Sequence, residues 1–571
     1  MNKFFYSALT ASMFVLTGCT DDDDNSPVQP ADEAVTSLSS QQLETSLTNP
    51  WFQQGQQDIE AAKAAWAEVT GTVAPVTQSG SLQAAIADAR GKAKNVILFV
   101  GDGMGVSTVT AARILDGQNQ GKPGEEHQLS FERFPFAGLA KTYNVDAQVP
   151  DSAGTMTAMV SGVKTDVGVL GVDEDVSRGD CGSATGNELM TLTELAELAG
   201  KATGVVSTAR ITHATPAATY AKSADRNWED ISDMPPEAVT DGCQDIADQL
   251  VNFEANLEAR TGADIDGIDV VMGGGRRHFL PNDARFNSPD ARSSVEGDRT
   301  DGRNLVTEWQ AQYPQGVYVY DNAGFDSVNA ATTSRLFGLF NESHMQYEAD
   351  RGNDVAGEPS LSEMTAKAID ILDNDPDGFF LTVEAGRVDH AHHAGSANGA
   401  LTDTIELAEA VKVAADQTNP EDTLIIVTAD HSHVFTMAGY PKRGNPILGK
   451  VVSIGAEQPE LASDDLPYTT LGYANGLGMR DYGSETDADR TYGDPINAGR
   501  KDLTNVDTTT PGFHQESLVP LGSETHAGED VGIYARGPGA HLVTGTNEQN
   551  MIYHIMDYAS DISGAANLAV R

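Results

Sequence analysis

Four stretches carry carboxylates, three of them with imidazoles at close spacing. They are Gly101-Asp102-Gly103-Met104-Gly105, the run from Glu384 through Asp389 and His390 to His393, Ala429-Asp430-His431-Ser432-His433, and Glu524-Thr525-His526. Asp389 and His393 are four apart, so a helix would set both on one face, and a carboxylate with an imidazole is a sensible zinc pair. A cluster of this composition suits Zn²⁺ with a harder ion such as Mg²⁺ beside it. The Gly-rich turn around Asp102 could instead be a nucleotide loop. Neither the dinucleotide nor the Walker spacing is met, however, and an acid at its centre repels phosphate unless it binds a metal. Metals need a reacting group, and Val149-Pro150-Asp151-Ser152-Ala153-Gly154-Thr155 puts Ser152 at the start of a helix-like stretch, where free N–H groups can hold an anion. By type alone such a serine is more often a helix cap. Arg226 could clamp a phosphate with its planar fork.

The elements that must position these residues are short apolar runs alternating with helical stretches. The runs are 95–100, 204–207, 268–272, 316–320, 378–383 and 423–428. Such alternation predicts an α/β fold, with a large, mostly parallel central sheet covered by helices on both faces. Ligands in these folds bind beyond the carboxyl ends of the strands. Asp102, Glu384, Asp389, Asp430 and His431 all fall at such ends. Before the first strand, 41–68 reads as an amphipathic arm broken at Pro50. Residues 440–515, rich in Gly, Asp, Thr and Tyr, break the alternation and read as an insertion.

The chain has 571 residues, and 84 acidic against 36 basic side chains give a net charge of −48. That balance excludes a nucleic-acid binder and obliges any anion site to make its own local positive field. Residues 1–18 read as a secretory signal, and Leu16-Thr17-Gly18-Cys19 resembles a lipobox, with Cys19 as the acylated residue; a plain signal peptide is the alternative. An acidic tether follows at 20–40. The protein is therefore expected to be exported and lipid-anchored to a bacterial envelope. Cys181 and Cys243 remain as an even pair in an oxidising compartment, which favours a disulfide over two buried thiols.

Together with the stretch Pro150 to Thr165, the four motifs resemble the alkaline phosphatase family, in its animal-type branch, in the family's order across roughly Trp51 to Ala559. The resemblance implies hydrolysis of small phosphate monoesters through a phosphoserine on Ser152, with two Zn²⁺ and one Mg²⁺ per subunit. Asp102 would bridge one zinc and the magnesium. Asp430 and His431 would complete that zinc, which also meets Ser152. Asp389, His393 and His526 would hold the second zinc, while Glu384 and Thr215 would join Asp102 on magnesium. Arg226 would clamp phosphate. His213 and His390 stand where the enterobacterial branch has Asp and Lys. The resemblance also implies a catalytic domain over 41–571, a homodimer, a dimer arm at 41–66, a crown-like insertion at about 434–520 and the Cys181–Cys243 disulfide. Phe340 is followed by Asn341, where the branch's calcium site has an acid, so calcium is not expected. A phosphodiesterase or sulfatase on the same fold is the nearest rival.

Overall fold

A computed structural model of the protein describes residues 41–72 and 90–569; the leader, Cys19 and the tether at 20–40 lie outside them. The arm forms two helices, Gln41–Thr48 and Pro50–Thr72, parted just before Pro50, whose ring has no N–H to continue the first helix.

Among the described residues, ten strands build the central sheet. In chain order the first eight are β1 (Asn95–Gly101), β2 (Phe136–Lys141), β3 (Ala202–Arg210), β4 (Val270–Gly274), β5 (Val317–Val319), β6 (Leu336–Leu339), β7 (Phe379–Ala385) and β8 (Thr423–Ala429). Short strands come next: β9 (Ser432–His433), β10 (Phe435–Met437), β11 (Leu471–Gly476), β12 (Arg480–Asp481), β13 (Phe513–His514), β14 (Ser517–Pro520) and β15 (His526–Ala527). The sheet is completed by β16 (Val531–Arg536) and β17 (Thr546–Glu548), in the order β17-β2-β16-β8-β1-β7-β3-β4-β6-β5. The six expected strands are all present. The run from β8 to β5 is parallel, and β16 is antiparallel to both its neighbours.

Every residue of β1, β7 and β8 is buried, as near-continuous apolar runs such as Asn-Val-Ile-Leu-Phe-Val-Gly require when helices cover both faces. Helices Leu361–Leu372 and Ala397–Gln417 form one set over β1, β3 and β7; Leu192–Leu198 and Met551–Ser560 meet the same strands from a second set. Between β9 and β15 the chain makes two small sheets, β10-β11-β14 and β12-β13, where the sequence predicted an insertion. One turn of it, Ala488–Gly493, returns to the body: Asp489 binds Arg387 at 2.8 Å and accepts from the Tyr347 hydroxyl at 2.6 Å. Cys181 and Cys243 form a disulfide, with their Cα atoms 6.2 Å apart.

Candidate metal centre and phosphate site

Strand register alone brings the first donors together. Gly101 lies level with Ala385 on one side and Ala429 on the other, so Asp102, Glu384 and Asp430 converge beyond three adjacent parallel strands. The turn after β1 leaves no room for a side chain at position 103. Gly103 has φ +68°, a Cβ there would come within 2.3 Å of His433 Nε2, and its N–H donates to Asp430 Oδ1 at 3.0 Å. After β7 the helix Arg387–His393 places Asp389 and His393 on one face as predicted. The antiparallel pairing of β9 with β15, His433 opposite His526, then delivers His526 from far along the chain.

The hydrogen bonds fix the histidine tautomers. His393 Nδ1 faces the Glu524 carbonyl at 2.6 Å and His526 Nδ1 faces the Pro150 carbonyl at 2.8 Å, so both Nδ1 atoms must carry the proton. Both Nε2 atoms are then acceptors. Yet they lie 3.1 Å from each other, and each is 3.3 Å from Asp389 Oδ1. Lone pairs aimed at one point, with their outer nitrogens pinned by carbonyls, form a donor set that fits a zinc ion.

A second convergence surrounds His431 Nε2, which is 3.3 Å from Asp102 Oδ1, 3.3 Å from Asp430 Oδ2 and 3.2 Å from the Ser152 hydroxyl. The His431 and His526 rings stack at 3.6 Å, so the two sets are neighbours. Thr215 donates to Asp102 Oδ2 at 3.5 Å, while Ser207, level with Glu384 across the sheet, donates to Glu384 Oε2. Among the described residues, Asp102 Oδ1, Glu384 Oε1, Asp430 Oδ2 and His431 Nδ1 are buried with no hydrogen-bond partner. Orphaned carboxylate oxygens in a dry site are costly unless a cation meets them. Burial, reinforced by repulsion from Asp430 and Asp389, pushes the Asp102 carboxyl well above its usual range and Glu384 to about 8. Asp389 goes the opposite way: burial would raise it, but His393 and His433 overcome that and hold it far below. The residues present therefore fit a cluster of divalent ions.

Ser152 is the first residue of the helix Ser152–Ser161. Asp151 caps that helix by accepting from Gly154 N at 3.1 Å, so Ser152 is not itself the cap. The same carboxylate anchors Arg226, whose Nη1 donates to Asp151 Oδ2 at 3.1 Å and whose Nη2 donates to His213 Nε2 at 3.3 Å. His213, His390 and His344 form a ring cluster, His344 and His390 at 4.0 Å, and each accepts from a different arginine: Arg226, Arg387 and Arg210. Burial first, and these cations next, hold all three imidazoles well below their usual pKa and hence neutral. Each guanidinium is itself paired with a carboxylate, Arg226 with Asp151, Arg387 with Asp489 and Arg210 with Glu229, so the net charge leaves much of the positive field at this site to bound cations.

All the predicted donors thus meet at one site, together with four residues that the sequence patterns do not assign. His433 bridges Asp389 at 2.8 Å and Glu524 at 2.6 Å; burial opposes its charge, but the two carboxylates raise it to about 10. His433 and Glu524 stand inside the four donor-rich stretches, whose density of polar residues is a usable signal. Ser207 and His344 carry none: Ser207 is an ordinary strand residue in sequence, and His344 comes after β6, a strand the alternation does not reveal.

Fold and site define an α/β protein with clustered metal donors beyond the carboxyl ends of its parallel strands. Residues 93–562 match the model of the family described as alkaline phosphatase. The chain is 44% identical over 479 residues to the human tissue-nonspecific isozyme of alkaline phosphatase, covering 83% of this chain and 85% of that one. Among solved structures it resembles alkaline phosphatase from Thermus thermophilus, with TM-score 0.57 and 24% identity over 85% of this chain and 95% of that one. It also resembles a mutant alkaline phosphatase from the Antarctic bacterium TAB5 with Mg bound in its M3 site, with TM-score 0.53 and 22% identity over 83% and 99%. The chain belongs to the alkaline phosphatase family, whose members are metal-dependent phosphomonoester hydrolases.

Proposed function

We propose that this chain is an exported alkaline phosphatase that hydrolyses phosphate monoesters through a phosphoserine on Ser152. The observation that carries the reading is the position of the Ser152 hydroxyl, at a helix N-terminus and 3.2 Å from His431 Nε2, with Arg226 braced by the neighbouring Asp151. Asp389, His393 and His526 suit zinc, as do Asp102, Asp430 and His431; the all-oxygen set of Asp102, Glu384 and Thr215 suits magnesium. Bound there, the ions supply Lewis acidity, lowering the pKa of a hydroxyl or water in contact with them and offsetting the charge of the dianion.

The protein's own groups do the rest. Arg226 presents a planar fork to the phosphoryl oxygens, its plane fixed by Asp151 and His213. The helix N-terminus adds partial positive charge beside the phosphoryl group. Ser152 Oγ bonds to phosphorus as the ester P–O bond breaks, and the alcohol leaves with the serine proton. Water then attacks the phosphoserine, returning a proton to Oγ and freeing inorganic phosphate. Cys19 as a lipid attachment point and the disulfide are both consistent with export into an oxidising compartment. A homodimer, with 41–66 as its arm and 434–520 as its crown-like insertion, accounts for the exposed apolar side chains of Met437, Tyr440, Leu518 and Val519.

The test is turnover of a chromogenic monoester from pH 7 to 10, before and after chelation and with zinc and magnesium restored, in the wild type and Ser152→Ala. Metal-dependent turnover lost in the variant is expected. A fully metallated, folded wild type that turns over a bis-ester or sulfate ester, but no monoester, would overturn the reading.

A further inference from the structure

Arg226 is held by its main chain as well as by its side chain. Its N–H donates to the Gly168 carbonyl at 2.8 Å, Leu170 and Ser223 exchange two backbone bonds of 2.9 Å, and Gly179 N donates to the Ala224 carbonyl at 2.9 Å. These bonds knit three loops into a mount for Arg226. The mount has an apolar cluster of its own, apart from the main core, which includes Val169, Val176, Ala224 and Trp228 with Cys181 and Cys243 packed against it.

Arg178 lies across this mount. Its Nε and Nη2 donate to Asp225 Oδ2 and Oδ1, each at 3.2 Å, so the fork grips the residue just before Arg226. Its guanidinium also fills the space over Gly168, where φ is +82° and a Cβ would lie 2.4 Å from Arg178 Cζ. Arg178 therefore touches both the residue that precedes Arg226 and the residue whose carbonyl holds the Arg226 N–H. A bidentate fork sets orientation as well as distance. Arg178 thus adds a side-chain tie to the backbone bonds and the disulfide that hold these loops.

We propose that Arg178 is a positioning residue for phosphate binding, acting through Asp225 and Gly168 on the backbone of Arg226. The inference rests on Arg226 as the phosphate clamp. The experiment measures KM for a monoester, kcat, and Ki for inorganic phosphate in the metal-loaded enzyme, for Arg178→Ala, Arg178→Lys and Asp225→Asn, and for Arg178→Ala combined with Arg226→Ala. Arg178→Ala is expected to raise KM and Ki about fivefold while kcat changes less than about twofold, the size a partly exposed bidentate pair can give. Arg178→Lys, which keeps the charge but loses the fork, recovers less than half of this, and Asp225→Asn matches Arg178→Ala. In the Arg226→Ala background the Arg178 substitution adds nothing, because a positioning residue has no effect once the group it positions is gone. Unmoved KM and Ki in Arg178→Ala, or an equal further rise on top of Arg226→Ala, would overturn the proposal. Arg226→Ala leaving Ki unchanged would instead refute the clamp itself, and the positioning role with it.

Discussion

Loading the oxygen-rich site should release a proton near neutral pH, and Glu384 sets the size of the effect. Its carboxyl is wholly buried, held at about 8 chiefly by loss of solvent, with Asp430 and Asp389 adding repulsion. With that value the metal-free protein holds the Glu384 proton in about nine-tenths of molecules at pH 7 and about one-tenth at pH 9. A metal ligand must be the carboxylate, so loading expels whatever proton is there. Titrating Mg²⁺ into chelator-stripped protein, in two buffers of different ionisation enthalpy, should therefore count about 0.8 more protons released from Glu384 at pH 7 than at pH 9. Apparent affinity should fall roughly tenfold per pH unit below 8 from this group alone. Glu384→Gln should remove the Glu384 share of that difference, leaving only what the raised Asp102 carboxyl contributes.

The same shift has a stability consequence of definite sign. A carboxyl whose pKa is higher folded than unfolded stabilises the metal-free fold at low pH, and this is lost as pH rises from about 4.5 through 8, on the order of 5 kcal/mol in all. Metal-free protein should lose thermal stability over that range while loaded protein does not. Equal proton counts at pH 7 and 9 would refute the argument that burial, relieved by a cation, governs this site.

Gly103→Ala should leave a folded protein with activity down about a hundredfold, because the new Cβ displaces His433 and a shift of about 1 Å at a site can cost that much; activity within threefold of wild type would refute it. His554 is buried against Phe52 and held at about 3 by burial alone, so it is neutral when folded but takes a proton when unfolded below about 6.5. The stability it confers above that pH is lost on acidification, about 2 kcal/mol by pH 5, and His554→Leu should flatten the acid limb of denaturant midpoint against pH. An unchanged acid limb would assign the lability elsewhere.

Much of the site is legible in the sequence because parallel strands convert linear order into position. A run such as Leu424 to Thr428 is a buried strand, and the polar residues just after it must stand at its carboxyl end. Chain order alone therefore marks Asp102, Glu384 and Asp430 as donors. Helix periodicity does the same for Asp389 and His393. The strands that escape are β2, β6, β16 and β17, which are short, contain Gly, or alternate as one-sided strands do. His344 escapes with β6.

Residue type and local spacing thus determined the α/β class, the strand ends, the helix start beside Ser152 and the donor chemistry, since these depend only on neighbours along the chain. The tertiary structure alone decided which nitrogen of His393 and of His526 is free. It also decided that Ser207 faces Glu384 and that Arg178 braces the loop of Arg226. Those outcomes depend on a carbonyl, a register or a guanidinium supplied from a distant segment, and chain order holds no information about which group arrives.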